Sequence, residues 1–510
     1  MLRSQAAWVA GVALLVFAPV LGLGFTYDDD WTITENAWLK APLGELVGLL
    51  ASGESLAKRV SNATRPFTVL SFWFDRNLFG GFTPGYHAHS LVLYAVCAAF
   101  ATILAWQLTR RRSIAGFAGV FFAVAPLHAE PVAGVNYRGE LYAGLGVLGV
   151  LSCLFSPWQP RSEARFRLEN DGWGRALAVA LLTLAGLFAK ESGVALFLLL
   201  ALAGVMLPRV RHVMVRRKRS LAALGVAAAV WAFWRLPLLW KGDDLPLAPE
   251  RGAWQRRLRT ARFEVQSVRH ALLPWDYNPE YWRQPDASAN WLVTLAVIVF
   301  AVVVLGRVRA TRIPALGVAI ALVAPLPSSP LARPINEFAD RYFFVGILGG
   351  GIFWGWCVTR LGLGLKGRLA ELFRKLRRSP IGLGFLCVPL LVPTYRATQL
   401  WKDNRTLWSR AVELTPGSAR AWLNLSRAQR KSGEHAAATS SLEHAISLVP
   451  DWAPALLARV YDDITDKRME DARAHVAQIL AQGLGNARGV RRAVECVKLE
   501  AEAAKRCADR

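Results

Sequence analysis

Along the first 395 residues, apolar blocks alternate with polar connections, and the blocks are too long and too many to share one soluble core. A helix needs ~20 mostly apolar residues to cross a bilayer. By that rule about eleven segments qualify: 6–25, 86–108, 114–127, 141–155, 176–188, 194–207, 221–240, 291–306, 313–325, 342–358 and 381–395. Several are short, which fits tilted or half-buried helices. The connection 26–85 is long and carries Trp31, Trp38, Phe72, Trp73, Phe74 and Phe79 between polar residues. That spacing predicts amphipathic helices lying on the membrane surface.

After residue 395 the apolar blocks stop and amphipathic helical spacing begins. Residues 419–452 place Trp422, Leu425, Gly433, Ala438, Leu442, Ala445 and Pro450 at the offsets of a tetratricopeptide repeat, a helix-turn-helix unit of about 34 residues. Half a repeat precedes it, with Trp408, Ala411 and Pro416, and a degenerate one follows over 453–484 with Ala472 at the small-residue position. Residues 489–510 read as a terminal cap. One repeat cannot bury its own face, so stacked neighbours are expected. The expected fold is all-α: a polytopic membrane domain over 1–396, then a tetratricopeptide-type helical solenoid over 397–510 that binds a protein or peptide.

Composition agrees. The chain has 510 residues, is 54% hydrophobic and carries a formal net charge of +24. On a soluble protein that charge would point to nucleic acid. Here the basic residues sit between apolar blocks: Arg110 to Arg112; Arg209 through Arg219; Arg307, Arg309 and Arg312; Arg374, Lys375, Arg377 and Arg378. The expected partner is therefore anionic membrane lipid rather than nucleic acid. The positive-inside rule puts these connections and the N-terminus in the cytoplasm, and eleven crossings put the C-terminal domain outside it. The connection 241–290 is also basic although alternation places it outside; long connections follow the rule less strictly. The N-terminal segment, with Arg3 before an apolar stretch, has no clear small-residue cleavage site and reads as a retained first span. Cys97, Cys153, Cys357 and Cys387 lie in apolar segments and Cys496 and Cys507 in a terminal helix, so no metal-ligand spacing and no disulfide framework are expected. Much arginine, alanine and glycine with few lysines points to a bacterial inner membrane, with the repeats in the periplasm.

Topology then gathers chemistry on one side. Asp28, Asp29 and Asp30 follow the first apolar block, and the other outer connections carry His128, Glu130, Arg138, Glu140, Lys190, Glu191, Asp340 and Arg341. Ionisable residues at membrane depth are functional candidates by default. Taken singly, each reads better as an interfacial residue, a cap or a snorkelling side chain; acid, histidine and arginine together on one face favour a site. His87 and His89 read as interfacial residues. A carboxylate beside the membrane can act as general base toward an arriving hydroxyl, and a like-charged neighbour raises its pKa toward a useful range. Asp28 and Asp29 are the candidates, with Asp28 preferred, and Asp30 reads as a helix cap.

Several pieces resemble one family. They are Phe25-Thr26-Tyr27-Asp28-Asp29 with Ile33 and Asn36; Arg65-Pro66 with Phe72; Gly81 with Pro84, Tyr86 and His87; and the run from Pro126 to Gly134 with Arg138 and Glu140. Lys190-Glu191 with Gly193, and Asp340-Arg341-Tyr342, complete the set. In this order they resemble the transmembrane protein O-mannosyltransferases with tetratricopeptide repeats, of the GT-C glycosyltransferase class. Ala125, Ser90, the stretch 343–346 and the short repeat array depart from the family pattern. The resemblance implies an inverting transferase that moves a sugar, with mannose expected, from a polyprenyl-phosphate carrier to a protein Ser/Thr hydroxyl, using an acidic residue of the first outer loop. The phosphate leaving group then needs cations, for which Arg138, Arg341 and Lys190 are the candidates. The plain alternative pairs Arg138 with Glu140, Lys190 with Glu191 and Arg341 with Asp340. His128, Glu130, Glu140 and Glu191 would line the site. The resemblance implies no required cofactor; a divalent metal on His128, Glu130 and Asp29 is the minority reading. The rival functions are a repeat-bearing membrane scaffold and a lipid-linked sugar transporter. A transporter places its charges mid-span, whereas these sit at span ends.

Overall fold

The computed structural model describes residues 2–52, 60–156, 171–240, 252–281, 288–332, 338–379 and 382–485, then 487, 489–500, 503, 504 and 507. Parts of the 241–290 connection, Ile381 at the start of the last apolar block, and the end of the terminal cap lie outside the described residues. Among those described, every regular element is helical.

Among the described residues six helices are long and apolar enough to cross a membrane: Leu2–Gly22, Thr83–Thr109, Val135–Phe155, Lys218–Pro237, Asn290–Arg307 and Arg312–Ala332. Among the described residues three bent pairs pass the same test together, as a broken span or a re-entrant segment: Arg112–Ala123 with Pro126–Ala133, Glu191–Met206 with Pro208–Val215, and Gly367–Arg378 with Gly382–Lys402. The shorter apolar helices Trp173–Ala189 and Ile347–Leu363 match the two remaining blocks of the hydropathy reading. The chain is thus a multi-pass membrane protein. Its long helices end where local chemistry requires. Thr83–Thr109 starts with Pro84 in its first turn, where no N–H bond is lost, and closes on Arg110 in a left-handed conformation. Small residues let helices approach closely, as membrane packing favours: Gly146 lies against Gly186, and Gly317 against Gly349. Val135–Phe155 is almost wholly buried, whereas no residue of Asn290–Arg307 is.

The connection after the first span does more than lie on a surface. Leu43–Ser52 and Pro66–Phe79 close a hydrophobic core of their own, with Ile33, Leu39, Leu46, Leu49, Val69 and Phe72 around Tyr86 and Val135. Trp31, Phe74 and Leu78 stay exposed. This core fixes the acidic loop to the start of the Val135–Phe155 helix, so the site rests on packed structure.

The chain divides into two compact units, Met1–Tyr277 with Pro285–Asp403, and Asn278–Gln284 with Asn404–Arg510. In the second unit, Ala419–Lys431 packs on His435–Leu448 and Ala453–Thr465 on Met469–Ala481. Ala438 allows the first approach, its carbonyl accepting from Ser426 Oγ at 2.7 Å. Glu280 belongs to this unit: its carboxylate takes Arg420 Nη2 at 2.6 Å, and its carbonyl takes the Thr415 hydroxyl at 3.0 Å. One expectation fails here. Cys496 and Cys507 form a disulfide, with Cα atoms 5.5 Å apart. The pair closes the terminal cap, where a core too small to hold itself gains most from a covalent tie.

Candidate active site

The acidic loop is built by backbone geometry. Tyr27 adopts φ 58°, a left-handed conformation costly for a tyrosine, and strain of this kind concentrates at functional sites. The turn it makes sends Asp28 and Asp29 in different directions. Asp29 is fully buried. Its Oδ2 accepts from the N–H of Thr26 at 3.1 Å and of Val135 at 3.3 Å, and its Oδ1 from the N–H of Asn136 at 2.6 Å. Asp28 stays half-buried, accepting from Trp31 Nε1 at 3.1 Å and lying 3.5 Å from Asn136 Nδ2. Asn136 is therefore the hub, and its own Oδ1 accepts from Asn62 Nδ2 at 2.8 Å. Asp30 is not a cap: it begins the next turn, Asp30–Thr34, whose cap position is Asp29 and carries no side-chain capping bond.

Burial pushes the Asp29 carboxyl up to about 7, against three N–H donors that favour its ionised form. A folded-state pKa above the unfolded value means that the folded chain binds more protons between about pH 4 and 7, so stability is present at the acid end and lost as pH rises through that window. The expected slope is up to about 1.4 kcal/mol per pH unit, and Asp29→Asn should abolish it. Thermal unfolding across pH 4–7 checks this; an equal slope in the variant would exclude Asp29 as its source.

The cations form a connected array with partners other than their sequence neighbours. Arg341 pairs with Glu130, not Asp340: its guanidinium and its backbone N–H, the latter at 3.1 Å, both meet that carboxylate. The same guanidinium lies 4.4 Å from the Tyr137 ring centre and 5.1 Å from that of Tyr342. Lys190 Nζ meets Glu140, not Glu191, at 2.6 Å, and Ser192 donates to the second Glu140 oxygen at 2.6 Å. Glu191 is shared by two arginines, Arg235 at 2.8 Å and Arg65 at 3.2 Å. Lys190 Nζ lies 5.8 Å from the centre of the Tyr342 ring that Arg341 also approaches, and Asp28 lies 3.5 Å from Nδ2 of Asn136, the residue before Tyr137. Asp28, Tyr137, Arg341, Lys190, Arg65 and Arg235 thus belong to one site.

Other candidates leave it. Arg138 is fully buried and pairs with Asp75 at 2.5 Å, not with Glu140. It also donates to the Tyr86 carbonyl at 2.8 Å and to Ser90 Oγ at 3.1 Å. A lipid phosphate cannot reach a guanidinium so enclosed. His89 is part of this network, 2.7 Å from Asp75 and 2.8 Å from the Tyr142 hydroxyl, and His87 is buried with Nε2 3.3 Å from the Gly24 carbonyl. Both are tied into these contacts. His128 is buried among Tyr94, Phe122 and Phe344, with Nδ1 3.0 Å from the Phe122 carbonyl and Nε2 3.1 Å from that of Phe344. Both of its nitrogens are engaged by backbone. The proposed metal set is therefore dispersed: His128 ties carbonyls, Glu130 holds Arg341, and Asp29 accepts N–H bonds. Among the described residues no three His, Cys, Asp or Glu side chains group as metal ligands.

No family model matches the chain. Curated relatives do. Protein O-mannosyl-transferase Tmtc1 of Drosophila melanogaster is 31% identical over 52% of this chain and 33% of its own length. Tmtc2 of the same organism is 30% identical over 52% of this chain and 29% of its own. The curated homologues of this chain are thus named protein O-mannosyl-transferases. Protein O-mannosyl-transferase TMTC4 of Homo sapiens is similar over more of the chain, 24% identical across 84% of it and 64% of the relative. The chain spans about a third of the length of the two Drosophila mannosyl-transferases. A solved structure described as ArnT from Cupriavidus metallidurans bound to undecaprenyl phosphate aligns over 90% of this chain and 79% of that one, at 15% identity and a TM-score of 0.39.

Sequence reasoning overlooked Asn136, Asn62, Asp75 and Arg235. The first two bind through side-chain amides that carry no charge signal, and Arg235 lies inside an apolar block, where it was averaged away. An arginine near the end of a membrane-length helix was the available clue.

Proposed function

We propose that the chain is an inverting glycosyltransferase that moves mannose from a polyprenyl-phosphate carrier to a Ser/Thr hydroxyl of a protein acceptor, on the non-cytoplasmic face of the membrane. The observation that carries this reading is a half-exposed carboxylate, Asp28, linked through Asn136 and Asn62 to Arg65, which shares Glu191 as counter-ion with Arg235. Asp28 takes the acceptor's proton as the hydroxyl oxygen attacks the sugar's anomeric carbon. The bond from that carbon to the phosphate oxygen breaks, and the phosphate leaves with the electron pair. Attack from the face opposite the leaving group inverts the centre. Arg65, Arg235, Lys190 and Arg341 offset the charge that develops on the phosphate, as fixed cations do in a site poor in water. The Arg65–Glu191–Arg235 triad carries one surplus positive charge, and arginine binds phosphate through two parallel N–H bonds.

The names of the relatives support the mannosyl reading. The disulfide supports an oxidising compartment for the second unit, where that unit would recruit the acceptor protein. A bacterial inner membrane, with this unit in the periplasm, is the setting we favour.

The test reconstitutes the full chain in liposomes with polyprenyl-phosphate mannose and Ser/Thr acceptor proteins. Mannose transfer with inversion is expected. Arg65→Gln and Arg235→Gln should each raise the donor KM by about tenfold or more, because a charge-assisted hydrogen bond contributes about 1.5–3 kcal/mol. Glu191→Gln should leave it unchanged or lower it. No transfer from any polyprenyl-phosphate sugar would overturn the reading.

A further inference from the structure

The helix Gly367–Arg378 is not needed by the site. Its sequence places Leu369, Leu372, Phe373 and Leu376 at i, i+3, i+4 and i+7, one apolar stripe. The remaining face carries Arg368, Arg374, Lys375, Arg377 and Arg378 against a single acid, Glu371, and Lys366 precedes it. A helix that hides its apolar stripe against its own fold needs no explanation, but this one does not hide it. Leu369 is 62% exposed and Leu372 54% exposed, and the neighbouring Leu361, Leu363 and Leu365 are exposed as well. Phe373 alone is buried, its ring seated where Gly362 has no side chain. The basic side chains are exposed too, with one i,i+4 pair between Lys375 and Glu371 at 3.2 Å.

Connectivity restricts what can cover it. The apolar helix Ile347–Leu363 ends a few residues before it, and Gly367, at φ 61°, makes the sharp turn between them. On its other side the helical stretch Gly382–Lys402 begins after a similarly short connection and runs at 95° to it. With apolar segments attached so closely at both ends, the helix cannot leave the membrane surface, and the right-angle bend suits one lying in the plane of that surface. Nucleic acid would meet the basic stripe and leave the leucines in water. A neutral apolar partner would cover the leucines and leave the positive charge uncompensated. A bilayer of anionic phospholipid satisfies both, with leucines at the acyl boundary and arginines among the head groups.

We infer that Gly367–Arg378 is an interfacial anchor that binds anionic phospholipid head groups, holding the junction between the Ile347–Leu363 and Gly382–Lys402 segments at one leaflet. Phe373 is the pivot, because it packs inside the protein while its neighbours on the stripe face lipid.

The test follows hydrogen exchange of peptides covering 366–379 in the full-length chain, in nanodiscs of phosphatidylcholine alone or mixed with phosphatidylglycerol. Anionic lipid should slow exchange there by about tenfold, with the gain shrinking at high salt. A variant combining Arg374→Gln, Lys375→Gln, Arg377→Gln and Arg378→Gln should lose that gain but keep its protection in neutral lipid. Leu369→Ser with Leu372→Ser should lose protection in both. Exchange elsewhere in the chain reports whether each variant is folded. Equal exchange in neutral and anionic discs, or an undiminished gain in the quadruple variant, would overturn the inference.

Discussion

Asp28→Asn is expected to slow sugar transfer by about 10²–10⁴-fold, the usual contribution of a positioned general base, with little change in thermal stability or donor KM. The substitution keeps the side chain's shape and one accepting oxygen for Trp31 Nε1. It removes the capacity to take a proton, together with the charge and the second oxygen, which lies 3.5 Å from Asn136 Nδ2. Asp29→Asn is the necessary comparison. That carboxylate accepts three backbone N–H bonds inside the protein, and an amide can accept with only one of its two ends. Asp29→Asn should therefore lower both activity and melting temperature, because the connection between Thr26 and Asn136 loosens. The pair separates chemistry from support. Wild-type transfer by Asp28→Asn, measured in the reconstituted assay, would end the assignment of Asp28 as base.

The second large effect concerns Arg138, which sequence reasoning placed on the donor phosphate. Arg138→Met should cost about 3–5 kcal/mol of stability, the penalty for leaving a buried charge without its partner. The uncompensated group is Asp75, also fully buried, with His89 and Tyr142 attached to the same network. Thermal unfolding in detergent reads the loss. Adding Asp75→Asn to Arg138→Met should restore part of it, since the stranded charge is then gone. A phosphate ligand behaves differently: its loss raises donor KM at unchanged melting temperature. A stable Arg138→Met protein with a raised donor KM would return this arginine to the donor site.

Part of the site was legible, and what was not legible has several physical causes. Glu130, Glu140, Lys190, Glu191 and Arg341 were named from topology and do gather. The plain alternative, in which each cation pairs with its sequence neighbour, does not describe their contacts. Adjacent residues and residues two apart point to different sides of a helical turn, so a buried charge finds its partner on a facing element. Arg341 takes Glu130, Lys190 takes Glu140 and Arg138 takes Asp75. The minority reading of His128 as a metal ligand rested on its standing two residues from Glu130, yet its neighbours in space are backbone carbonyls and aromatic rings. The Cys496–Cys507 disulfide was overlooked because cysteine spacing in a terminal helix says nothing about whether the chain folds back.

The sequence alone determined what a bilayer and a helix impose one segment at a time. Those were the apolar blocks of spanning length and the change to amphipathic helices after residue 395. Each is a property of local periodicity and solvent, legible without neighbours. Tertiary structure decided which aspartate is locked by backbone and which stays open, and which carboxylate each arginine meets. These depend on contacts between residues far apart in the chain, such as Asp29 with Asn136 and Arg235 with Glu191. In a buried site of low dielectric, the partner rather than the residue type sets what a charge can do.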